Sequence, residues 1–464
     1  MFHRRAHRIV NVLISLCLFG FFVIFLKTPP QPKQDLIFPA IDEKQWKELG
    51  EMNSTVDTTY EDFQQWRFKL SANNTIFGRE VVESVMFLNE NFDILNIDRF
   101  GPVEDVKTVI VIQVHNRVAY LRYLIESLKK TKGIEDTLLV FSHDINVEAI
   151  NQMIHNITFA RVYQIFYPLN MQLFPHVFPG QEPYDCPEKI GKARAQLLGC
   201  QNKDFPDKYG NYRVAQLTQI KHHWWWKMNF VFDGIIDRFG LHDSWVLLLE
   251  EDHLVVPDAL YVLNYITEHK NELCNNCDLI SLGAYLKSTR KYRETINLLG
   301  SHPWFSSKHN MGMALQRTQW LKIKGCAEMF CTWDDYNWDW SVMQVTAKCL
   351  PQRFRVIFAK SPRVLHIGDC GVHTHRCTAS NAYTQATQLV EEHHGDLFPS
   401  SLKVTDISRR SLKPSKENGG WGDKRDHELC RLNTHPLAWN TKDANMSIIN
   451  KLLQNTIHVP SPIR

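Results

Sequence analysis

Three short apolar runs, each followed at once by polar side chains, constrain the fold of this chain most. Residues 106–114 (VKTVIVIQV) lead into His115-Asn-Arg117, residues 137–141 (TLLVF) into Ser142-His-Asp144, and residues 245–249 (WVLLL) into Glu250-Glu-Asp-His253. Runs of this length and composition predict buried strands. Between the first two, Leu121, Leu124 and Leu128 recur at helical spacing. A strand, a helix and a strand in this order predict an α/β fold with a parallel sheet covered by helices.

The polar residues that follow these strands predict where a ligand binds. In open α/β sheets, ligands bind at the edge formed by the carboxyl ends of the strands. Residues 159–166 predict a further strand of the same sheet. No Gly-x-Gly-x-x-Gly sequence follows the first strand, and the sequence contains no Walker loop. These absences argue against a dinucleotide-dependent dehydrogenase and a P-loop kinase.

The N-terminus carries a segment that fits a membrane anchor. Residues 9–26 form an uncharged apolar run with one polar amide, Asn11, and three arginines precede it. A run of this length just suffices to cross a bilayer, and its basic flank predicts a cytoplasmic N-terminus. A cleaved signal peptide is the competing interpretation, but the run ends at Lys27 without a small-residue cleavage site. We therefore predict a type II membrane protein with a lumenal C-terminal part.

Cysteine usage agrees with a lumenal location. Cys17 lies in the predicted anchor, and the other ten of the eleven cysteines lie between Cys186 and Cys430. An even number predicts five disulfides. Cys274-Asn-Asn-Cys277 would indicate half a zinc site or a redox motif in the cytosol, whereas in the lumen a structural disulfide is the simpler interpretation. Four glycosylation sequons begin at Asn53, Asn73, Asn156 and Asn445.

Composition and charge exclude one class of partner and suggest the organisation of the chain. The formal net charge is +3, and the sequence has no long basic block, so we expect no nucleic-acid partner. An apolar fraction of 44% is typical of a globular protein. Residues 27–95 begin with a polar, proline-rich stretch and are predicted to form a stem between the membrane and the folded unit.

The acidic cluster Glu250-Glu-Asp-His253 is a candidate metal site. Hard divalent cations prefer oxygen ligands and often join phosphates to a protein. A solvated loop with ordinary charges is the alternative, but the position directly after a buried strand favours a functional role. His366 follows another apolar stretch and could be either a metal ligand or a hydrogen-bonded core residue.

Two aromatic segments leave a choice between sugar binding and core packing. Residues 332–340 (TWDDYNWDW) interleave three carboxylates with aromatic rings, which suits a sugar and a general base. The alternative is a helix N-terminus capped by Asp334 or Asp335, with the tryptophans in the core. Residues 221–226 (KHHWWW) could contact phosphate, base or sugar, but burial is the favoured interpretation for Trp225 and Trp226.

A series of strings in fixed order, from about residue 105 to 430, identifies the family that the chain resembles. It resembles the Golgi α-1,6-mannosyl-glycoprotein 2-β-N-acetylglucosaminyltransferases, or GlcNAc-transferases II. One string alone has little weight, whereas the full series is highly specific. The strings are Gln113-Val-His-Asn-Arg117, Phe141-Ser-His-Asp144, Lys221-His-His-Trp-Trp-Trp226, Glu250-Glu-Asp-His253, His309-Asn-Met-Gly312, Asp334-Asp-Tyr-Asn-Trp-Asp-Trp340, Asn418-Gly-Gly-Trp-Gly-Asp423 and Arg425-Asp-His-Glu-Leu-Cys430.

The resemblance implies a GT-A-type, Rossmann-like glycosyltransferase domain behind a transmembrane helix and a stem, in the Golgi membrane. It implies an inverting, Mn²⁺-dependent transfer from UDP-GlcNAc to the 2-hydroxyl of the α-1,6-arm mannose of an N-glycan. The resemblance implies contacts to the uridine nucleotide from Gln113, Val114, His115, Asn116, Arg117 and Asp144. It implies further contacts to the donor from Ile220, Lys221, His222, His223, Trp224 and Thr289. It implies Asp252 and His366 as the Mn²⁺ ligands and Asp339 as the general base.

The resemblance also implies a disulfide pairing and domain boundaries. The pairs are Cys186–Cys200, Cys274–Cys277, Cys326–Cys349, Cys331–Cys430 and Cys370–Cys377. The boundaries are a cytoplasmic tail at residues 1–8, the anchor at 9–26, the stem at 27–95, the catalytic domain at 96–431 and a C-terminal extension at 432–464. The extension passes the usual end of the family, and residues 288–292 depart from its pattern near Thr289.

Other functions fit parts of the sequence. A lumenal lectin would use the same tryptophans without UDP or a metal. A related β-1,2-GlcNAc transferase that acts on the α-1,3 arm or on O-linked mannose would share the donor site, because acceptor pockets lie on variable loops. A metallohydrolase fits least, since the sequence lacks the ligand spacing of a zinc hydrolase.

Overall fold

The computed structural model describes residues 75–284, 291–368, 379–413, 416–438 and 456–458. The predicted anchor at residues 9–26, most of the predicted stem, Thr289, Cys370 and Cys377 lie outside these ranges. Within them, no helix has both the length and the apolar character that a membrane crossing needs.

The described strands are mostly short and buried. They are β1 Thr75–Phe77, β2 Thr108–Val114, β3 Leu138–His143, β4 Arg161–Phe166, β5 Trp245–Glu250, β6 His253–Val255, β7 Leu279–Ser281, β8 Leu298–Pro303, β9 Met313–Leu315, β10 Arg355–Ala359, β11 Val364–His366, β12 Lys403–Ile407 and β13 Thr456–His458.

The helices lie between these strands along the chain. They are α1 Gly78–Asn91, α2 Ile97–Phe100, α3 Val118–Lys129, α4 Glu148–His155, α5 Lys192–Leu198, α6 Ala215–Phe230, α7 Ala259–Glu268, α8 Lys270–Cys274, α9 Ser306–His309, α10 Arg317–Lys324, α11 Ala327–Thr332, α12 Trp338–Lys348, α13 Ala379–Glu392 and α14 Lys424–Asn433. A π-helical stretch, Val231–Ile236, continues α6.

In the described part of the chain, nine strands form one sheet in the order β12-β8-β10-β7-β9-β5-β2-β3-β4. The neighbours β4, β3, β2 and β5 are parallel, which confirms the α/β prediction and the strand predicted at residues 159–166. The other half is mixed, because β9 runs antiparallel to β5 and β7, and β8 runs antiparallel to β10. The prediction of a parallel sheet therefore holds for one half only.

Hydrophobic cores cover both faces of the sheet. Successive side chains of a strand point to opposite faces, and in β2 Val109 and Val111 face one core while Ile110 and Ile112 face the other. This two-sided burial explains why the predicted strands read as continuous apolar runs. Helix α6 lies in the first core and is buried from Lys221 to Phe230, which confirms the interpretation of Trp225 and Trp226 as buried residues.

The folded part of the chain begins before residue 96, the boundary predicted for the catalytic domain. Asn89 of α1 is buried, and its side chain donates to Phe166 O at 2.8 Å and accepts from Phe166 N at 2.7 Å. Asn89 therefore satisfies the backbone of the edge strand β4. Strand β1, from the predicted stem, pairs with β13, from the predicted C-terminal extension.

Four of the implied disulfides lie within the described residues, and all four are confirmed: Cys186–Cys200, Cys274–Cys277, Cys326–Cys349 and Cys331–Cys430. Cys331 of α11 and Cys430 of α14 are both buried and are separated by 99 residues, whereas Cys274 and Cys277 are separated by three. A cross-link restricts the unfolded chain more when it closes a longer loop.

We expect the variant C331S/C430S to lose about 4–5 kcal/mol of unfolding free energy, and C274S/C277S to lose about 2 kcal/mol or less. The two variants remove the same number of sulfur atoms, so the second is a control for the change in chemistry. Urea titration of the purified full-length chain measures both values. Equal losses would contradict a loop-length origin of the stability.

Candidate active site

The register of the parallel strands brings the predicted polar clusters to one edge of the sheet. Gln113 of β2 lies opposite Glu250 of β5 and Ser142 of β3. The residues that follow these three positions therefore leave the sheet side by side. The convergence predicted for His115-Asn-Arg117, Ser142-His-Asp144 and Glu250-Glu-Asp-His253 is confirmed.

Glu251 joins the ends of β2 and β5. Its Oε2 atom accepts from the backbone N–H groups of His115 at 2.9 Å and Arg117 at 3.4 Å, and its Oε1 atom accepts from Arg117 Nε at 2.8 Å. Burial raises the pKa of Glu251, and the Arg117 guanidinium opposes that shift. Glu251 is thus occupied with holding the loop after β2.

Asp252 contacts two other predicted site residues, Arg117 and His366. Its Oδ2 atom lies 2.8 Å from Arg117 Nη1 and 3.2 Å from His366 Nε2. Burial opposes ionisation, but the hydrogen bond from His366 and the charge of Arg117 outweigh it and lower the pKa of Asp252. A Cβ atom on Gly368 would lie 2.0 Å from this oxygen, so only glycine leaves room for the carboxylate.

The residues around Asp252 fit a divalent cation. Glu250, Asp252 and His253 place potential ligand atoms within 4.8 Å of one another. The Asp252 Oδ1 atom is buried and, among the described residues, lacks a hydrogen-bond partner. Carboxylate oxygens with an imidazole suit the harder divalent metals.

The two histidines of this cluster differ as metal ligands. His253 Nδ1 accepts a hydrogen bond from the Glu250 backbone N–H at 3.1 Å. A neutral imidazole has one acceptor nitrogen, and in His253 this nitrogen already accepts the hydrogen bond from Glu250. His366 instead directs Nε2 at Asp252. Asp252 and His366 stay the predicted metal ligands, with Glu250 as a neighbouring carboxylate.

A second group of predicted residues surrounds Asp144. Its Oδ1 atom pairs with His115 Nδ1 at 2.7 Å, and its Oδ2 atom accepts from Gln219 Nε2 at 3.0 Å. His223 Nδ1 lies 3.9 Å from the same Oδ2 atom. Burial opposes protonation of His115, but Asp144 outweighs it and raises the pKa of the imidazole. This chain of contacts connects the ends of β2 and β3 with α6.

The predicted donor contacts on α6 do not all face this edge. A helix turns by about 100° per residue, so five successive side chains cannot share one direction. His223 faces Ser142 and Asp144, whereas His222 Nε2 pairs with Asp426 at 2.9 Å. Trp224 stacks on Trp338 with ring centroids 4.3 Å apart, and Ile220 packs against the first core.

Lys221 is buried below the residue 332–340 segment. Its Nζ atom donates to Trp333 O at 3.2 Å and Asp335 O at 2.9 Å, and lies 4.1 Å from the centre of a Trp421 ring. Burial lowers the pKa of Lys221 to about 7. The side chains of Lys221, His222 and Trp224 thus contact internal partners, and their predicted role as donor contacts stays a prediction.

Two of the three carboxylates in the residue 332–340 segment serve the backbone. Asp334 accepts from the N–H groups of Trp421 at 3.0 Å and Lys208 at 2.7 Å. Asp335 accepts from the N–H groups of Asn418 at 3.0 Å and Asn337 at 2.9 Å. These bonds fix the glycine-rich segment, residues 418–423, beside the start of α12.

Asp339 is the third carboxylate, and it has different partners. It lies in the first turn of α12 and is partly exposed. Its Oδ2 atom accepts from Ser306 Oγ at 2.5 Å and from Asn310 Nδ2 at 3.0 Å. Burial raises the pKa of Asp339, and the bond from Ser306 opposes the shift. The arrangement suits a proton acceptor.

Most of the tryptophans that the structure describes are core residues. Trp224, Trp225, Trp226, Trp320 and Trp421 are fully buried. They cannot form the exposed platform that a lectin needs. Within the residue 332–340 segment, the partly exposed aromatic residues are Trp333, Tyr336 and Trp340.

Several residues of this edge were missed as individual site residues. Gln219 contacts Asp144, and Lys227 contacts Gln113. Their polar character within the largely buried helix α6 was the sequence feature that could have identified them. Asn310 lies in the family string His309-Asn-Met-Gly312, but the sequence of this string does not reveal that the Asn310 side chain contacts Asp339. Ser306 has no signal in the sequence.

The chain was compared with known proteins. The profile of the family N-acetylglucosaminyltransferase II (MGAT2) matches residues 82–430. The α-1,6-mannosyl-glycoprotein 2-β-N-acetylglucosaminyltransferase of Sus scrofa is 41% identical over 347 residues, which cover 74% of this chain and 77% of that protein. The protein of the same name from Arabidopsis thaliana is 33% identical over 355 residues, which cover 73% and 77%.

Among solved structures, the similarity is low. S. aureus TarS 1-349 has 9% sequence identity and a TM-score of 0.30, over 74% of this chain and 77% of that one. This likeness supports no argument about fold or function.

We expect D252N to weaken Mn²⁺ binding to the chain without nucleotide by at least about 10-fold, because changes even beyond the direct ligands of a metal cost that much. Asp243 is an exposed aspartate that precedes the same strand, and D243N is the matched control. Electron paramagnetic resonance of free Mn²⁺ measures both affinities. Equal affinity of D252N and the wild type would exclude Asp252 as a ligand.

Proposed function

The chain belongs to the N-acetylglucosaminyltransferase II family, and from that premise we propose its reaction in detail. It transfers N-acetylglucosamine from UDP-GlcNAc to the 2-hydroxyl of the α-1,6-arm mannose of N-glycans and forms a β linkage with inversion. The observation that carries this proposal is the edge of the sheet where Arg117, Asp252 and His366 meet.

The nucleotide occupies the carboxyl edge of β2, β3 and β5. Asp144, held by His115 and Gln219, is placed to accept a hydrogen bond from the uracil ring. Arg117 lies at the start of α3 and brings a positive charge to the side of the edge where a diphosphate would lie. The groups thus separate recognition of the base from recognition of the phosphates.

A divalent ion, for which we propose Mn²⁺, would be held by Asp252 and His366. Bound there, it would supply a Lewis acid that stabilises the negative charge of the leaving UDP. The Asp252 Oδ1 atom, which lacks a partner within the described part of the chain, and the glycine at position 368 support this assignment.

Asp339 acts on the acceptor sugar. Its carboxylate takes the proton of the mannose 2-hydroxyl while the oxygen attacks the anomeric carbon from the face opposite UDP. A single displacement converts the α-linked donor into a β-linked product. The raised pKa makes Asp339 a stronger base than an ordinary aspartate, and the hydrogen bonds to Oδ2 fix its direction.

We also propose that the chain is a single-pass type II protein of the Golgi membrane, anchored by residues 9–26. The basic flank, the apolar run and the lumenal pattern of cysteines and sequons support this location.

A transfer assay on the full-length chain in detergent tests the proposed reaction. The reaction contains UDP-GlcNAc, Mn²⁺ and a panel of trimmed N-glycans, with EDTA in a parallel series. We expect metal-dependent addition of one β-1,2-linked GlcNAc to the α-1,6-arm mannose. Transfer only to a different mannose would retain the chemistry and reject the proposed acceptor. Glycan binding without transfer or a response to UDP would indicate a lectin.

We expect D339N to lower kcat by about 10²–10⁴-fold, because it removes the general base. The affinity for UDP should stay within twofold of that of the wild type, since Asp339 is not among the residues that we propose to bind the nucleotide. D334N is the control for a carboxylate of the same segment that serves the backbone. A near-normal kcat in D339N would remove Asp339 from the role of base.

A further inference from the structure

Ser306 is the first residue of the short helix α9, and Asn310 follows its last residue, beside the proposed general base. Ser306 is fully buried, and Asn310 is partly exposed. Both side chains donate to one oxygen of Asp339, Oδ2, at 2.5 and 3.0 Å. A carboxylate with two donors on one oxygen cannot rotate without losing both bonds, so its second oxygen keeps a fixed direction.

The segment that carries these two donors is bonded to the neighbouring strands. The Trp304 backbone N–H donates to Phe354 O at 2.7 Å, which ties the residue after β8 to the start of β10. His309 Nδ1 accepts from the Phe305 backbone N–H at 3.1 Å, and the His309 ring lies 5.0 Å from that of Phe358 in β10. These contacts attach helix α9 to the sheet.

The same segment also reaches the metal side of the site. Gly312 has a φ of 54°, which a residue with a side chain rarely adopts. A Cβ atom at this position would lie 2.8 Å from Val364 Cγ2, in the strand that carries His366. The string His309-Asn-Met-Gly312 thus connects the residue that orients Asp339 with the strand of a proposed metal ligand.

We propose that Ser306 and Asn310 are positioning residues, which hold Asp339 in the orientation for proton transfer and keep it ionised despite its burial. This inference rests on the proposed role of Asp339 as general base. Donors to a carboxylate stabilise its charged form. Asp335 acts on Asp339 in the opposite sense, since its negative charge raises the pKa of Asp339.

The test compares S306A and N310A with S341A. Ser341 is a fully buried serine of the same helix as Asp339, but its hydroxyl donates to the backbone oxygens of Asp335 and Asn337. S341A therefore controls for the loss of a buried hydroxyl from this region. The measurements are kcat and KM for both substrates across pH, together with UDP binding.

We expect S306A to lower kcat by about 10-fold or more, with KM for UDP-GlcNAc and UDP binding unchanged, because a misdirected base affects the chemical step. The acidic limb of the pH–kcat profile should move to higher pH by about one pH unit, since a lost bond to a charged group favours protonation. S341A should leave that limb in place.

N310A and N310D provide a second test that does not depend on a buried position. N310A should move the acidic limb upward, and N310D should move it further, because a second carboxylate beside Asp339 disfavours ionisation. Wild-type transfer is the baseline, and its absence would contradict the proposed function. Wild-type transfer with unmoved acidic limbs in S306A, N310A and N310D would overturn the positioning role alone.

Discussion

The bonds that Glu251 makes to Arg117 and to the backbone after β2 are the interaction on which the site depends. A buried carboxylate is stable only when its lone pairs are satisfied. Two backbone N–H groups and a guanidinium supply the donors, and the same guanidinium extends to Asp252. Glu251 thus sets the shape of the loop after β2 and the direction of Arg117. One buried acid thus organises the His115 side and the Asp252 side of the edge.

The sequence could predict this edge because strand direction and side-chain type act together there. The runs before His115, Ser142 and Glu250 are apolar on both faces, so the strands had to be buried and parallel, and their ends had to converge. The antiparallel strand β9 and its neighbour β7 were not predictable, because three-residue segments carry no periodic signal. Helix α1 lies before residue 96, and the contact of its Asn89 with a distant strand has no signal in the local sequence.

Some residues of the site can be recognised from the neighbouring sequence, and others cannot. Asp252 and Asp339 stand out through their neighbours in the sequence, whereas Ser306 becomes recognisable only through a contact over 33 positions. Helical rotation directs the side chains of the run at residues 220–224 to different sides of α6. Its family resemblance covers the whole string, but of these side chains His223 is the one that contacts Asp144.

We propose above all that the metal and the nucleotide lie at Asp252 and that the acceptor hydroxyl meets Asp339. A crystal structure with UDP, Mn²⁺ and a mannose acceptor, measured at the manganese absorption edge, tests it most directly. We expect an anomalous peak bonded to Asp252 and the diphosphate, with the acceptor hydroxyl within hydrogen-bond distance of Asp339. A manganese peak at another acidic group, or an acceptor hydroxyl remote from Asp339, would contradict the account.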